Sequence, residues 1–275
     1  MDTRNEIYGA ANAKAAADYL NSKYGDSKVQ LLCLNEVDEW KFIPSSSDAR
    51  ICRKGLVIAK SFEEADHAIS IAVPKSHIFA YYTGTLKNYF GLVSSLHMGM
   101  KAGRVVAHRA YVNATCGGVE NVGVTGAFMD IHRWRIDQGK DDFGILDCTI
   151  GVEGQGPEHL TGGTTADHKQ RNPIGKYSVM ASTDLVAADV IGAKMLNFSL
   201  DDIKQFAVAR NWGIGAVDNV DLVGASLEDL IVSDWQKPEP VSEDMFRFVP
   251  GPVRPLPEGN APKRTARINF RNLFA

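Results

Sequence analysis

The chain has 275 residues and a mass of 30.0 kDa, with 44% hydrophobic residues, 23% charged residues and a formal net charge of −3. This composition excludes collagen-like, coiled-coil and wholly disordered chains, and at roughly 100–200 residues per domain it fits one large or two small domains. The near-neutral charge gives no electrostatic footprint for nucleic acid, and no apolar run reaches the roughly 18 residues that a membrane helix needs. Met1 to Ala10 carry neither the basic nor the apolar region of a secretory signal, so a cytoplasmic location is expected, with no nucleic-acid or membrane partner. Cys33, Cys52, Cys116 and Cys148 form no C-x-x-C pair. They are expected to be reduced and structural.

The four-residue recurrence of Ala16, Leu20 and Tyr24 predicts a helix over 12–24. Val29 to Leu34 is too short and apolar for a helix and suits a buried strand, and residues 40–59 allow one or two more strands. Ala68 to Val73 predicts a strand that Pro74 stops by removing an amide donor. Leu86, Phe90 and Val93 have helical spacing. The segment 97–142 reads as either a helix pair or a lid, and it holds His97, His108 and His132. Further strands are predicted at Phe143 to Ile150 and Tyr177 to Ala181, the second leading into a helix that ends near Asn197. Ser199 with Asp202 resembles a capping box opening a helix to Gly213, and Val220 to Val223 is read as a last strand. Strands alternating with helices predict an α/β fold, a mixed or mostly parallel sheet flanked by helices, over residues 1–234. From 235 to 275 the chain turns proline-rich and basic, as an extended tail does.

Three constellations can carry chemistry. Lys75 and His77 follow the strand that ends at Pro74, where open α/β sheets bind their ligands. Thr83, Lys87 and Asn88 lie just beyond, at the start of the next helical segment, where exposed amides and a lysine make an anion site. His77 is a candidate general base or metal ligand. Asp147, in an apolar run, and Glu153, in the glycine-rich GVEGQGP, form the second group, with Glu153 a candidate proton acceptor. Asp184 and Asp189 form the third: Asp184 is also explained as a helix cap, and Asp189 shares a helical face with Leu185, Gly192 and Ala193. An inward Asp189 either bonds buried backbone or faces the site.

The strand ending Val-Pro-Lys-x-His, the run Thr-Gly-Thr-Leu-Lys-Asn-Tyr-Phe-Gly, the segment Asp147 to Pro157 and the segment Ser182 to Asp189 together resemble the family catalogued as domain of unknown function 362. In place of the family's usual residues, Cys148 replaces a glycine and Leu185 a proline. The resemblance covers about residues 12–225 and implies that Lys75, His77, Lys87, Asn88, Asp147, Glu153, Asp184 and Asp189 share one site or its scaffold. It supplies no reaction and no cofactor. The family's usual Lys-Pro-Asn strand is missing here, which implies a fragment, a processed product or a subunit whose N-terminal part a companion chain completes. The ferredoxin-like cysteine cluster of many members is missing too, so their redox role is not implied.

The residues thus point to an enzyme of isomerase or lyase type acting on a small carboxylate or phosphate. His77, Lys75 and Glu153 are its expected catalytic groups, and Lys87, Asn88, Thr83, Asp147, Asp184 and Asp189 its substrate contacts. The alternative is a non-catalytic metal- or cofactor-binding module that docks a partner through its tail. Either could be a homo-oligomer.

Overall fold

A computed structural model of the chain describes residues 3–25, 29–30, 32, 39–43, 56–93, 115–154, 168–171, 174 and 177–239. The chain divides into two compact units, Met1–Glu39 and Trp40–Ala275. The first contains helix α1 (Thr3–Tyr24), longer than the spacing predicted. In its last turn, the Asn21 side chain pairs in both directions with the main chain of Val29 beyond the helix, at 2.7 and 2.8 Å. The strand expected from Val29 to Leu34 lies largely outside the described residues, as do His97, His108 and the tail from residue 240.

In the second unit, β1 (Trp40–Ile43) and β2 (Leu56–Ala59) form an antiparallel pair, followed by the short helix α2 (Lys60–Glu64). The central sheet has the order β3 (His67–Ala72), β6 (Asp141–Cys148), β9 (Ser178–Ser182). It is mixed: β3 runs parallel to β6, and β9 antiparallel to it. A parallel neighbour needs a long crossover, and α3 (Val124–Asp137) lies between β3 and β6. Between β6 and β9 the described chain forms only the antiparallel pair β7 (Gly151–Gly154) and β8 (His168–Arg171).

On one face of the sheet, Gly144, Leu146 and Cys148 are turned inward beneath α4 (Leu185–Met195). Every residue of α4 except Lys194 is buried, as expected for a helix that is apolar on all sides. Gly144 permits this approach: a Cβ there would stand 3.1 Å from the Thr85 methyl and 3.5 Å from Ala188 Cβ. The other face leaves Ile69, Ile71 and Val179 between 64% and 66% exposed. Cys148 and Cys116 are buried, and burial pushes the Cys148 thiol up to about 12, so both serve as small packing groups.

A buried strut ties the segments before the sheet to the helix that crosses it. Arg135 on α3, fully buried, pairs with Asp142 at 2.5 Å and donates to the carbonyls of Phe62 and Ala65 at 3.3 and 2.8 Å. Tyr89 donates to the same Asp142.

Three local expectations are corrected. The segment after Thr85 is a 3₁₀ helix (Leu86–Leu92), which tightens the turn that carries Lys87 and Asn88. Ser199 makes no side-chain cap: a short 3₁₀ turn (Leu200–Asp202) intervenes before α5 (Lys204–Trp212), which closes on Gly213 at φ 65° as expected. Val220 to Val223 forms no strand. Its residues pair with no strand among the described residues, and Val223 is almost wholly exposed. Ser226 does cap the short final helix, α6 (Leu227–Leu230).

Candidate functional site

Beyond β3, Pro74 ends the strand and the chain turns into a small antiparallel hairpin, β4 (Lys75–His77) and β5 (Tyr81–Thr83). Strand alternation sorts β4 into two faces. Ser76 points to one and is locked there: its Oγ accepts the Trp235 indole N–H at 2.9 Å and donates to the Gln236 carbonyl at 3.1 Å. Lys75 and His77 point to the other, with Thr83 directly across from Lys75 in the register. These three side chains, with Gly84, Lys87 and Asn88 from the following turn, line a cleft of about 200 Å³. That volume is below the roughly 300–1,000 Å³ of drug-sized ligand sites and fits a small molecule.

His77 is buried, and its Nδ1 accepts the main-chain N–H groups of Phe79 and Ala80 at 3.0 and 3.1 Å. With Nδ1 spent as an acceptor, the neutral ring carries its proton on Nε2. Nε2 stands 3.5 Å from Lys87 Nζ. Two donor groups side by side at a cleft wall recruit a shared acceptor, such as a carboxylate or phosphate oxygen. In this tautomer His77 donates, so its resting form is not the general base that the sequence suggested.

Thr83 is 2% exposed, and its hydroxyl has no hydrogen-bond partner among the described residues. Buried hydroxyls are nearly always paired, so an orphan in a cleft wall marks a place for a ligand atom. Lys75 is half-buried with no carboxylate partner among the described residues. Burial lowers its pKa. Asn88 lines the cleft but spends its amide N–H groups on Ser70 Oγ and the Ile71 carbonyl, at 3.1 and 2.8 Å, pinning the turn to the end of β3.

The acidic candidates sit elsewhere. Asp189, fully buried, accepts from the Thr85 N–H at 2.6 Å, the Thr85 hydroxyl at 2.8 Å and the Leu86 N–H at 3.3 Å. It holds the turn that presents Lys87 from behind. Desolvation pushes it up to about 7 despite those hydrogen bonds. Gly84 is required for this seat, since a Cβ there would collide with Asp189 Oδ1 and lie 2.7 Å from Tyr82 Oη. Asp184 caps α4 through Val186 and Ala187 N–H at 2.8 and 3.1 Å, and its other oxygen accepts the Ala216 N–H at 2.7 Å. Asp147 closes a turn on Thr149, at 3.0 Å to N and 2.6 Å to Oγ1. Glu153 accepts the Gln236 N–H at 2.9 Å, so neither it nor Asp147 lines the cleft beside His77.

Among the described residues, no group of three His, Cys, Asp or Glu side chains could hold a metal ion. Sequence reasoning did not single out Ser70, Thr85, Trp235 or Gln236. Ser70 Oγ donates to the Thr85 carbonyl at 2.7 Å and so links β3 to the same turn. The repeated threonines flanking Gly84 were the one available signal.

No curated protein and no solved structure matches this chain. A family model described as Domain of unknown function (DUF362) matches residues 13–194, a span that contains the whole cleft. That span is more than half of the sequence, and the chain belongs to the DUF362 family.

Proposed function

We propose that this protein is an enzyme acting on a small anionic substrate, a carboxylate or phosphate, by acid–base chemistry of isomerase or lyase type. The observation that carries the reading is the orphaned, buried Thr83 hydroxyl in a cleft whose other polar groups include Lys75, His77 and Lys87. Lys87 and the Nε2–H of His77 hold the anion between them. A negative charge that develops on the substrate during proton removal meets donors already in place, which costs no reorganisation at the moment of reaction. Burial of Lys75 lowers its pKa and so favours its uncharged amine, which carries a lone pair for proton transfer.

Calorimetric titration with acetate and with phosphate tests the anion site, and proton NMR of small hydroxy and oxo acids in deuterated water tests the chemistry. Wild type is expected to bind at least one of the anions and to exchange the C–H next to a carboxylate. Lys87→Ala should lose binding. His77→Asn keeps an acceptor where Nδ1 stands, so the turn at Phe79 and Ala80 survives while the Nε2 donor is removed and exchange falls. Unchanged binding in Lys87→Ala, or no exchange with any acid, would refute the reading.

A further inference from the structure

Resting on that reading, we infer that the substrate is a small oxo acid and that Lys75 Nζ binds its carbonyl carbon covalently, as an iminium. Lys75 and Thr83 are opposite partners at the open end of the β4–β5 hairpin. Directly paired positions bring side chains about 4.5–5.5 Å apart at Cβ, so the threonine side chain lies within the span of the lysine's. A lysine that served only as a charged anchor would gain from a counter-charge in the protein. Lys75 has none among the described residues, and its cross-strand neighbour is instead a hydroxyl without a partner. An amine beside a hydrogen-bond donor is the pair that carbonyl addition requires. One group attacks the carbon, and the other holds the oxygen as it becomes a hydroxyl. His77 follows Lys75 by two residues on the same strand face, and with Lys87 it provides the donors for the acid's carboxylate. The cleft volume of about 200 Å³ limits the acid to a few carbon atoms. Burial of Lys75 raises the fraction present as free amine.

The step balances without any oxidant or reductant. The Lys75 ammonium loses a proton, its lone pair forms the C–N bond, and the carbonyl π pair moves to oxygen, which takes up a proton under the Thr83 hydroxyl. The nitrogen lone pair then expels that oxygen as water. Ammonium and oxo acid enter, iminium and water leave, and two of the three ammonium protons depart in the water. The iminium withdraws electrons from the neighbouring carbon and acidifies its C–H bonds, which is the activation an isomerase or lyase needs.

The experiment incubates the full chain with pyruvate and sodium cyanoborohydride, then maps modified peptides by mass spectrometry, with pyruvate binding measured in parallel by calorimetry. An N-carboxyethyl group concentrated on Lys75 is the expected result. The exposed Lys14 serves as the internal control for random modification. The adduct should vanish in Lys75→Arg, judged folded by an unchanged thermal midpoint, and should weaken in Thr83→Val. Pyruvate binding with no adduct, or with labelling no greater than at Lys14, overturns the inference and leaves the anion site standing. Labelling at Lys87 in place of Lys75 overturns it too. Failure of pyruvate, acetate and phosphate alike to bind removes the underlying reading together with the inference.

Discussion

Two buried titratable groups oppose each other in their effect on stability, and separating them tests the electrostatics of the scaffold. Asp189 titrates near 3.8 in an unfolded chain and at about 7 in the native state, where desolvation disfavours its charge. The native state therefore holds this proton longer than the unfolded chain. Stability falls as pH rises from about 4 to 7, by about 4 kcal/mol in total at roughly 1.4 kcal/mol per unit. His132 has the opposite sign. Buried on α3, it is lowered by desolvation from 6.5 to about 4, and its Nδ1 has no hydrogen-bond partner among the described residues. The unfolded chain takes up this proton first on acidification, so His132 costs about 3 kcal/mol as pH falls from 6.5 to 4. Between about pH 4 and 6.5 the two contributions cancel to within ~1 kcal/mol. Urea unfolding at fixed ionic strength, compared between variant and wild type at each pH, isolates each group from the other carboxylates. Relative to wild type, Asp189→Asn should gain about 3–4 kcal/mol between pH 4 and 7, on top of a pH-independent packing change. His132→Gln should lose about 3 kcal/mol relative to wild type over pH 4 to 6.5. A variant-minus-wild-type difference that stays flat within ~1 kcal/mol over these ranges would show that the group titrates normally, and the reasoning would fail for that group.

The buried strut gives a second prediction. Asp142→Asn leaves the fully buried Arg135 guanidinium without its counter-charge and should cost ~3–5 kcal/mol in chemical denaturation, whereas a loss below ~1 kcal/mol would mean that its bonds to the Phe62 and Ala65 carbonyls suffice. Gly84→Ala places a methyl group against Asp189 Oδ1 and 2.7 Å from Tyr82 Oη, so it should destabilise by ~1–3 kcal/mol and, by moving the Thr85 turn, weaken phosphate or acetate binding. Wild-type anion affinity in that variant would show that Asp189 does not position Lys87.

What could be read from the sequence was what is local. Pro74 ends β3, Asp184 caps α4 and Gly213 closes α5 because each acts within a few residues of itself. Lys75, His77, Thr83, Lys87 and Asn88 fall within one short stretch, and a hairpin and a turn suffice to gather them. The acidic residues were ambiguous for a physical reason. A buried carboxylate either faces a ligand or accepts from the protein's own donors, and the choice depends on groups far away in the chain. Asp189 finds Thr85 across 104 positions, and Glu153 finds Gln236 across 83. The sequence left the sheet open between mixed and mostly parallel, since strand periodicity carries no direction, and the pairing of β9 with β6 makes it mixed.

These remote pairings also shape the character of the cleft. Asp184 and Asp147 accept main-chain N–H groups of the scaffold, as Asp189 and Glu153 do, and among the described residues no acidic side chain lines the cleft. Asn88, too, turns its amide donors to β3. Among the described residues, the polar side chains that line the cleft are those of Lys75, His77, Thr83, Lys87 and Asn88. The affinity for anions proposed above therefore depends on distant residues as much as on the lysines themselves. Each carboxylate bonded into the scaffold is one that does not neutralise Lys75.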